Sequence, residues 1–307
     1  MGKETFMNLM TDFAFKKLFG EAANKRILLR FLNILLAPEG KEVRDVTFLD
    51  KEVLPEGPDG KRILYDIYCV SSGEKEHIIV EMQQVYHDFF ENRTVFYSSK
   101  AMSMQGRKGG NYNELRPVYS IFLVDFHFPH MTKKTMHDVR LMDIHSHEIY
   151  SDLFRMLFLH LADAKQDWDS CTTDYDKILF LIKNMHKMDK DSKAYKSREF
   201  DEIFHEAEID NLVNEDAVAY SQSRLKYEET LAAVDYASNS SFERGIAIGE
   251  ERGIAIGEER GIAIGEERGR VAGIAIGEKR IRMETAQKLR AAGFDEDLIK
   301  SITGISV

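Results

Sequence analysis

Two apolar stretches, RILYDIYCV (62–70) and HIIVEMQQV (77–85), are separated by little more than Ser71-Ser72-Gly73-Glu74. Short segments rich in β-branched and aromatic residues, joined by a polar glycine-containing link, make a β-hairpin. That pairing restricts everything near it, because side chains alternate faces along a strand. Asp66, Tyr68 and Val70 share one face of the first strand, with Tyr65, Ile67 and Cys69 on the other. On the second strand Ile79, Glu81 and Gln83 share a face. A turn centred between Gly73 and Glu74 sets Asp66 opposite Glu81.

The flanking pattern alternates helix and strand. Thr11 or Asp12 caps a helix carrying Phe13, Phe15, Leu18 and Phe19, and a second helix over 24–36 lines up Ile27, Leu28, Phe31, Leu32 and Leu35. VTFLDKEVL (46–54) reads as a strand, followed by a tight turn at Pro58-Asp59-Gly60. A helix over about 88–105 stops at Gly109-Gly110, and PVYSIFLVDF (117–126) reads as a buried strand. Together these predict an α/β core with a mixed sheet. Beyond it, one strand at 139–144 precedes helical patterns that include IYSDLFRMLFLHLADA (149–164) and YDKILFLIKNMHKM (175–188).

The end of the chain repeats itself. GIAIGEER begins at Gly245, Gly253 and Gly261 and returns as GIAIGEKR at Gly273. In a helix, two glycines per copy cost roughly 2 kcal/mol relative to alanine. The step of eight also turns the apolar face by roughly 80° per copy. In a strand, Glu250 and Arg252 fall among the isoleucines. We read the segment as helical, serving as a spacer or as a surface for homo-oligomer formation. Two short helices broken at Gly293 follow, the second capped by Asp295.

Acidic residues outnumber basic ones, 52 to 42, for a formal charge of −10. A uniformly acidic surface repels a phosphate backbone, so a nucleic-acid role here requires local basic patches or a metal. Cys69 and Cys171 cannot build a disulfide framework, which suggests a reducing compartment. The longest apolar candidate, 27–36, is broken by Arg30 and Asn33 and is too short to span a bilayer. Without a signal-like start either, the expected location is cytoplasmic and no membrane role is expected.

Chemistry concentrates on the hairpin. Directly opposed carboxylates lie roughly 5 Å apart at Cβ and repel. On otherwise apolar strands they are tolerable only if one is protonated or a cation sits between them. A hard ion such as Mg²⁺ uses a couple of carboxylates plus water and a substrate phosphate oxygen. Gln83 returns to the same face as Glu81, where it can orient water or phosphate. Ordinary exposed acids on an amphipathic hairpin remain the alternative.

The order Asp66, then Glu81-Met82-Gln83 after a hairpin, resembles the PD-(D/E)XK nuclease signature with glutamine in the lysine position. TDFAFKKLFG (11–20), RFLNILL (30–36), ENRTVFYSSKAM (91–102) and GGNYNELRPVYSI (109–121) are similar to the Rpn family of recombination-promoting nucleases, often labelled transposases. AAGFDEDLIKSITGIS (291–306) resembles it more loosely. The resemblance covers about 7–125 closely; with the patterns above, it leads us to expect a nuclease-like core over 1–150, a helical extension over 151–240, the glycine-rich repeat over 241–282 and a helical hairpin over 283–307. It also implies Mg²⁺-dependent endonuclease cleavage of DNA, linked to recombination or mobile elements. Asp66 and Glu81 would be metal ligands, and Gln83 and Asp12 further members of the site. Glutamine cannot act as a cationic stabiliser or general base, so a catalytically weak or inactive DNA-associated assembly protein is the competing expectation.

Arg93, Tyr97 and Lys100 recur at helical spacing and form a candidate DNA-phosphate face, or simply a solvated one. Asp12 reads equally as a helix-capping residue with Lys16 one turn on. His127, His130, His137, His145 and His147 lack the spacing of a zinc site and read as surface or loop residues. Trp168 falls in a polar loop, and Cys69 reads as a packed core thiol facing away from Asp66.

Overall fold

The computed structural model describes residues 4–53 and 62–306, so the turn expected at Pro58-Asp59-Gly60 lies outside the described residues. Two compact units are present, Met1–Ala232 and Ala233–Val307. The first opens with helices α1 (Asp12–Gly20) and α2 (Lys25–Leu36). Thr11 begins α1 by accepting a hydrogen bond from the Ala14 N–H. Strands β1 (Val46–Phe48), β2 (Glu52–Val53), β3 (Ile63–Leu64), β4 (Ile67–Ser71) and β5 (His77–Gln83) follow, then α3 (Phe90–Ser103). Strands β6 (Val118–Val124), β7 (Met136–Met142) and β8 (Ile149–His160) lead into helices α4 (Asp174–Asn184), α5 (Lys193–Lys196) and α6 (Asp201–Ala207). Helix α7 (Asn214–Ala291) supplies the last element of the first unit and the first element of the second.

The main sheet has the order β1-β4-β5-β6-β8-β7, and β2 pairs with β3 in a separate two-stranded sheet. The β5–β6 and β6–β8 pairs are parallel, while β1–β4, β4–β5 and β7–β8 are antiparallel. Strand β6 is buried along its whole length, as a central parallel strand covered on both faces must be. One face packs Ile67, Cys69, Val80, Ile121 and Leu159 against Phe15, Phe31 and Leu179 of α1, α2 and α4. The other lies under α3, where Tyr68, Ile79 and Val118 meet Ala101, and Phe122 and Phe158 meet Phe90. Cys69 is a core thiol, and burial pushes its pKa up to about 12.

Phe90 ties α3 to the sheet. Its ring centroid lies 5.1 Å from Phe126, 6.2 Å from Phe122 and 6.3 Å from Phe158. Truncating a buried phenylalanine removes its transfer free energy and leaves a cavity. Phe90→Ala should therefore cost about 3–5 kcal/mol in urea unfolding; a loss below about 1 kcal/mol would mean the ring is dispensable.

Several sequence expectations need correction. The segment 149–164, read as helical, carries the twelve-residue strand β8. Its residues Met156–His160 are buried in succession beside β6, and a continuous apolar run has the same pattern in a buried helix. A boundary after residue 150 would thus cut a strand of the main sheet, and residues 151–232 belong to the same compact unit as the core. Segments 46–54 and 62–70 are each broken rather than single strands, because both cross together from the main sheet to the small one. The break turns Tyr65 onto the Tyr68 face, with ring centroids 5.1 Å apart, instead of leaving it beside Ile67. His137 is buried and hydrogen-bonds His160 at 2.9 Å, so it is not a surface residue. Trp168 packs against Phe180 and Phe200.

In the second unit the repeat is helical throughout, within α7, and its isoleucines are exposed. The segment before Gly293 is the end of α7 and not a separate short helix. Gly293 makes the break at φ +84°, and α8 (Glu296–Thr303) begins with the Asp295 carboxylate accepting the Asp297 N–H. Among the described residues no helix is long and apolar enough to cross a membrane.

Candidate active site

The register of the hairpin brings its acids together. Ile67 pairs with Val80 and Tyr68 with Ile79, so one more step toward the open end sets Asp66 against Glu81. Asp66 sits at the break before β4, where its N–H is not used by the ladder. That N–H donates to Glu81 Oε1 at 3.0 Å, and the Met82 N–H donates to Asp66 Oδ2 at 3.1 Å. Each carboxylate is thereby held by the backbone of the other strand. The Glu81 side chain is 7% exposed and that of Asp66 16%.

Cations approach from the two neighbouring helices. Lys16 of α1 lies 3.1 Å from Asp66 Oδ1 and 2.6 Å from Asp12 Oδ1. Arg93 of α3 donates to Gln83 Oε1 at 3.2 Å and stands 3.8 Å from Glu81 Oε2. Gln83 also donates from Nε2 to the Val85 carbonyl at 3.1 Å, which fixes its carboxamide. Burial and then the charge of Asp66 push the Glu81 pKa up to about 8, against the opposing pull of the Asp66 N–H, Arg93 and Lys16. Burial works to lower the Lys16 pKa, but Asp66 and Asp12 outweigh it and hold the ammonium above its ordinary value.

Asp12, Lys16, Asp66 and Gln83 line a cavity of about 410 Å³ together with Ser223 and Lys226 from α7. Asp66, Glu81 and Gln83 thus converge as their strand positions indicate. Asp12 is 64% exposed and joins them through Lys16. Of the α3 stripe, Arg93 turns into the site and Tyr97 packs edge-on against Tyr65, with the Arg93 guanidinium over its ring. Lys100 is half-buried in the last turn of α3. Sequence reasoning missed Lys16 as a partner of Asp66. The available signal was that Glu-x-Gln lacks a cation while a lysine follows Asp12 by one turn. Nothing in the sequence marked Ser223 or Lys226.

A family model described as PD-(D/E)XK nuclease family transposase matches residues 9–237. The chain belongs to this family. The match takes in the hairpin, the strand β8 and the part of α7 that lines the cavity, so the family unit is far longer than the first 150 residues. No curated protein matches the chain. No solved structure does either. The side-chain oxygens that could hold a metal here are hard ones, the carboxylates of Asp66 and Glu81, with the Gln83 carboxamide nearby. Such a set suits a divalent cation that keeps several waters. Among the described residues no group of three or more His, Cys, Asp or Glu side chains is placed to hold a metal, so protein ligation would rest on the pair.

Proposed function

We propose that the protein is a Mg²⁺-dependent DNA endonuclease that hydrolyses phosphodiester bonds, with Asp66 and Glu81 as the metal-holding pair. The observation that carries this reading is the geometry of the pair: the Asp66 N–H donates to Glu81 Oε1 at 3.0 Å and the Met82 N–H to Asp66 Oδ2 at 3.1 Å, so two carboxyls are held side by side where a cation would relieve their repulsion. A divalent ion bound there supplies Lewis acidity toward the phosphate and makes a bound water more acidic. The Gln83 carboxamide, fixed by Arg93 and the Val85 carbonyl, orients a water or phosphate oxygen. Lys16 places its ammonium beside Asp66 and offsets charge as a nonbridging oxygen becomes more negative. The side-chain cation that glutamine at position 83 cannot provide then comes from α1. A place in recombination or mobile-element chemistry agrees with the transposase description of the family model.

The competing reading, a weak or inactive DNA-associated assembly protein, draws on Gln83 and the formal charge of −10. A plasmid-nicking assay separates the two, using wild type and Asp66→Ala, each with Mg²⁺ or with EDTA. Nicking is expected only from wild type with Mg²⁺; equal conversion in all four reactions would remove the nuclease reading.

A further inference from the structure

We propose that the site takes single-stranded DNA, or the frayed end of a duplex, with phosphates held by Lys51 and Lys226 and a base stacked on the His87–Phe89 pair. This deepens the nuclease reading and rests on it. Three independent observations point the same way.

The first is the shape of the approach. A cavity of about 410 Å³ is near the small end of ligand pockets and accommodates a nucleotide-sized unit. Its far wall is α7, and that wall is fastened. The Asn8 N–H donates to the Tyr220 hydroxyl at 2.8 Å and the Phe13 N–H to Ser223 Oγ at 3.0 Å. Ion pairs join Lys17 to Asp216 and Arg224 to Glu4, both at 2.8 Å. A duplex is a stiff, wide cylinder and must bring a phosphate down between this wall and the segment 83–85 at the end of β5. A lone strand is far narrower.

The second is charge. A further cavity adjoins the first and shares Asp12, Lys16, Ser223 and Lys226 with it, adding Lys51. Among the described residues neither Lys51 nor Lys226 forms an ion pair, whereas Lys16 and Lys17 do. Lys51 is half-buried, and Asp12 and Glu21 line the same cavity. Two ammoniums with no ion pair among the described residues, beside a carboxylate centre in a chain of net negative charge, mark where a backbone phosphate is tolerated.

The third is the aromatic ledge. His87 lines the cavity, and its ring stacks on Phe89 at 5.4 Å with an interplanar angle of 5°. Phe89 is 61% exposed and, among the described residues, makes no further ring contact, so the outer face of the stacked pair is open. Unpaired bases stack on such surfaces irrespective of sequence. Bases inside a duplex are already stacked and offer no free face.

The test measures binding of the full chain by fluorescence anisotropy in EDTA, using a labelled oligothymidylate, a forked duplex and a blunt hairpin duplex of matched length. The same three substrates are then incubated with Mg²⁺ and examined for cleavage. Single-stranded and forked DNA should bind at least about tenfold more tightly than the blunt duplex and be cut preferentially. Phe89→Ala should weaken single-strand binding by about tenfold. The double variant Lys51→Ala/Lys226→Ala should lower the slope of log affinity against log salt by about 1 or more. Phe89 and Lys226 are exposed, so circular dichroism melts should match wild type; His87→Ala provides a second probe of the ledge. Blunt duplex binding as tight as single-strand binding would overturn the proposal, as would unchanged binding in both sets of variants. A protein that binds single strands selectively but cuts nothing would instead overturn the nuclease reading alone.

Discussion

Replacing Glu81 with glutamine should make the protein more stable at pH 8.5 while ending metal-dependent cleavage. Glutamine preserves the shape and the acceptor that the Asp66 N–H uses, and removes the ionisable proton. In the unfolded chain a glutamate titrates near 4.5, whereas burial and Asp66 raise the folded value to about 8. The folded wild type therefore holds its proton more tightly than the unfolded chain. This contribution to stability is fully present below about pH 4.5 and is lost as pH rises through about 8. Glu81→Gln has no such loss, so the two proteins should melt alike near pH 4.5. They should diverge by on the order of 3 kcal/mol in favour of the variant by pH 8.5. Thermal melts in EDTA from pH 5 to 9 measure it. Added Mg²⁺ should raise the melting temperature of wild type at pH 8.5 and leave the variant unmoved. Parallel pH profiles for the two proteins would show that Glu81 ionises as easily folded as unfolded.

Removing the ammonium of Lys16 is the second large effect. Lys16→Met keeps the aliphatic stem and deletes the charge that lies between Asp12 and Asp66. Losing one preorganised stabilising group from a site of this kind costs about 10²–10³ in rate. The cleavage rate at saturating DNA should fall by that amount while DNA affinity in EDTA changes by less than about tenfold. Lys16 is one of the groups that draw the Glu81 pKa downward, so the acid limb of the pH–rate profile should also move to higher pH. Lys16→Arg, which restores the cation, should recover part of the rate. A Lys16→Met enzyme with wild-type rate and profile would reduce Lys16 to a helix-surface partner of Asp12.

Much of this centre was legible because a hairpin is a local structure. The link from Ser71 to Glu74 and the alternation on either side determine the register, and the register brings Asp66 to Glu81. The opening helices were similarly readable from their apolar spacing and the Thr11 cap. What escaped depends on distant chain. Strand β8 looked helical because burial on both faces erases the two-residue alternation that distinguishes a strand. Tyr65 was assigned to the wrong face because the break at Asp66 interrupts that alternation. The approach of Lys16 to Asp66 comes from packing α1 on β4, and no spacing in the sequence encodes that distance. The contribution of α7 to the cavity was equally invisible, since Ser223 and Lys226 resemble any polar residues on a charged helix.

The strap at the start of the chain has a consequence for how the protein is made. Phe6 bridges to Glu208, the Met7 N–H donates to the Ala207 carbonyl at 2.7 Å, and Asn8 reaches a tyrosine 212 residues away. A ribosome delivers Lys16 and the hairpin early, yet the partners that anchor this opening segment, and the wall that runs to Thr230, emerge much later. While the chain between the hairpin and Thr230 is being added, the nascent polypeptide therefore carries its acids without a finished cleft. On the proposed nuclease reading, fragments that stop short of this wall would lack a complete cleft and should not cut DNA.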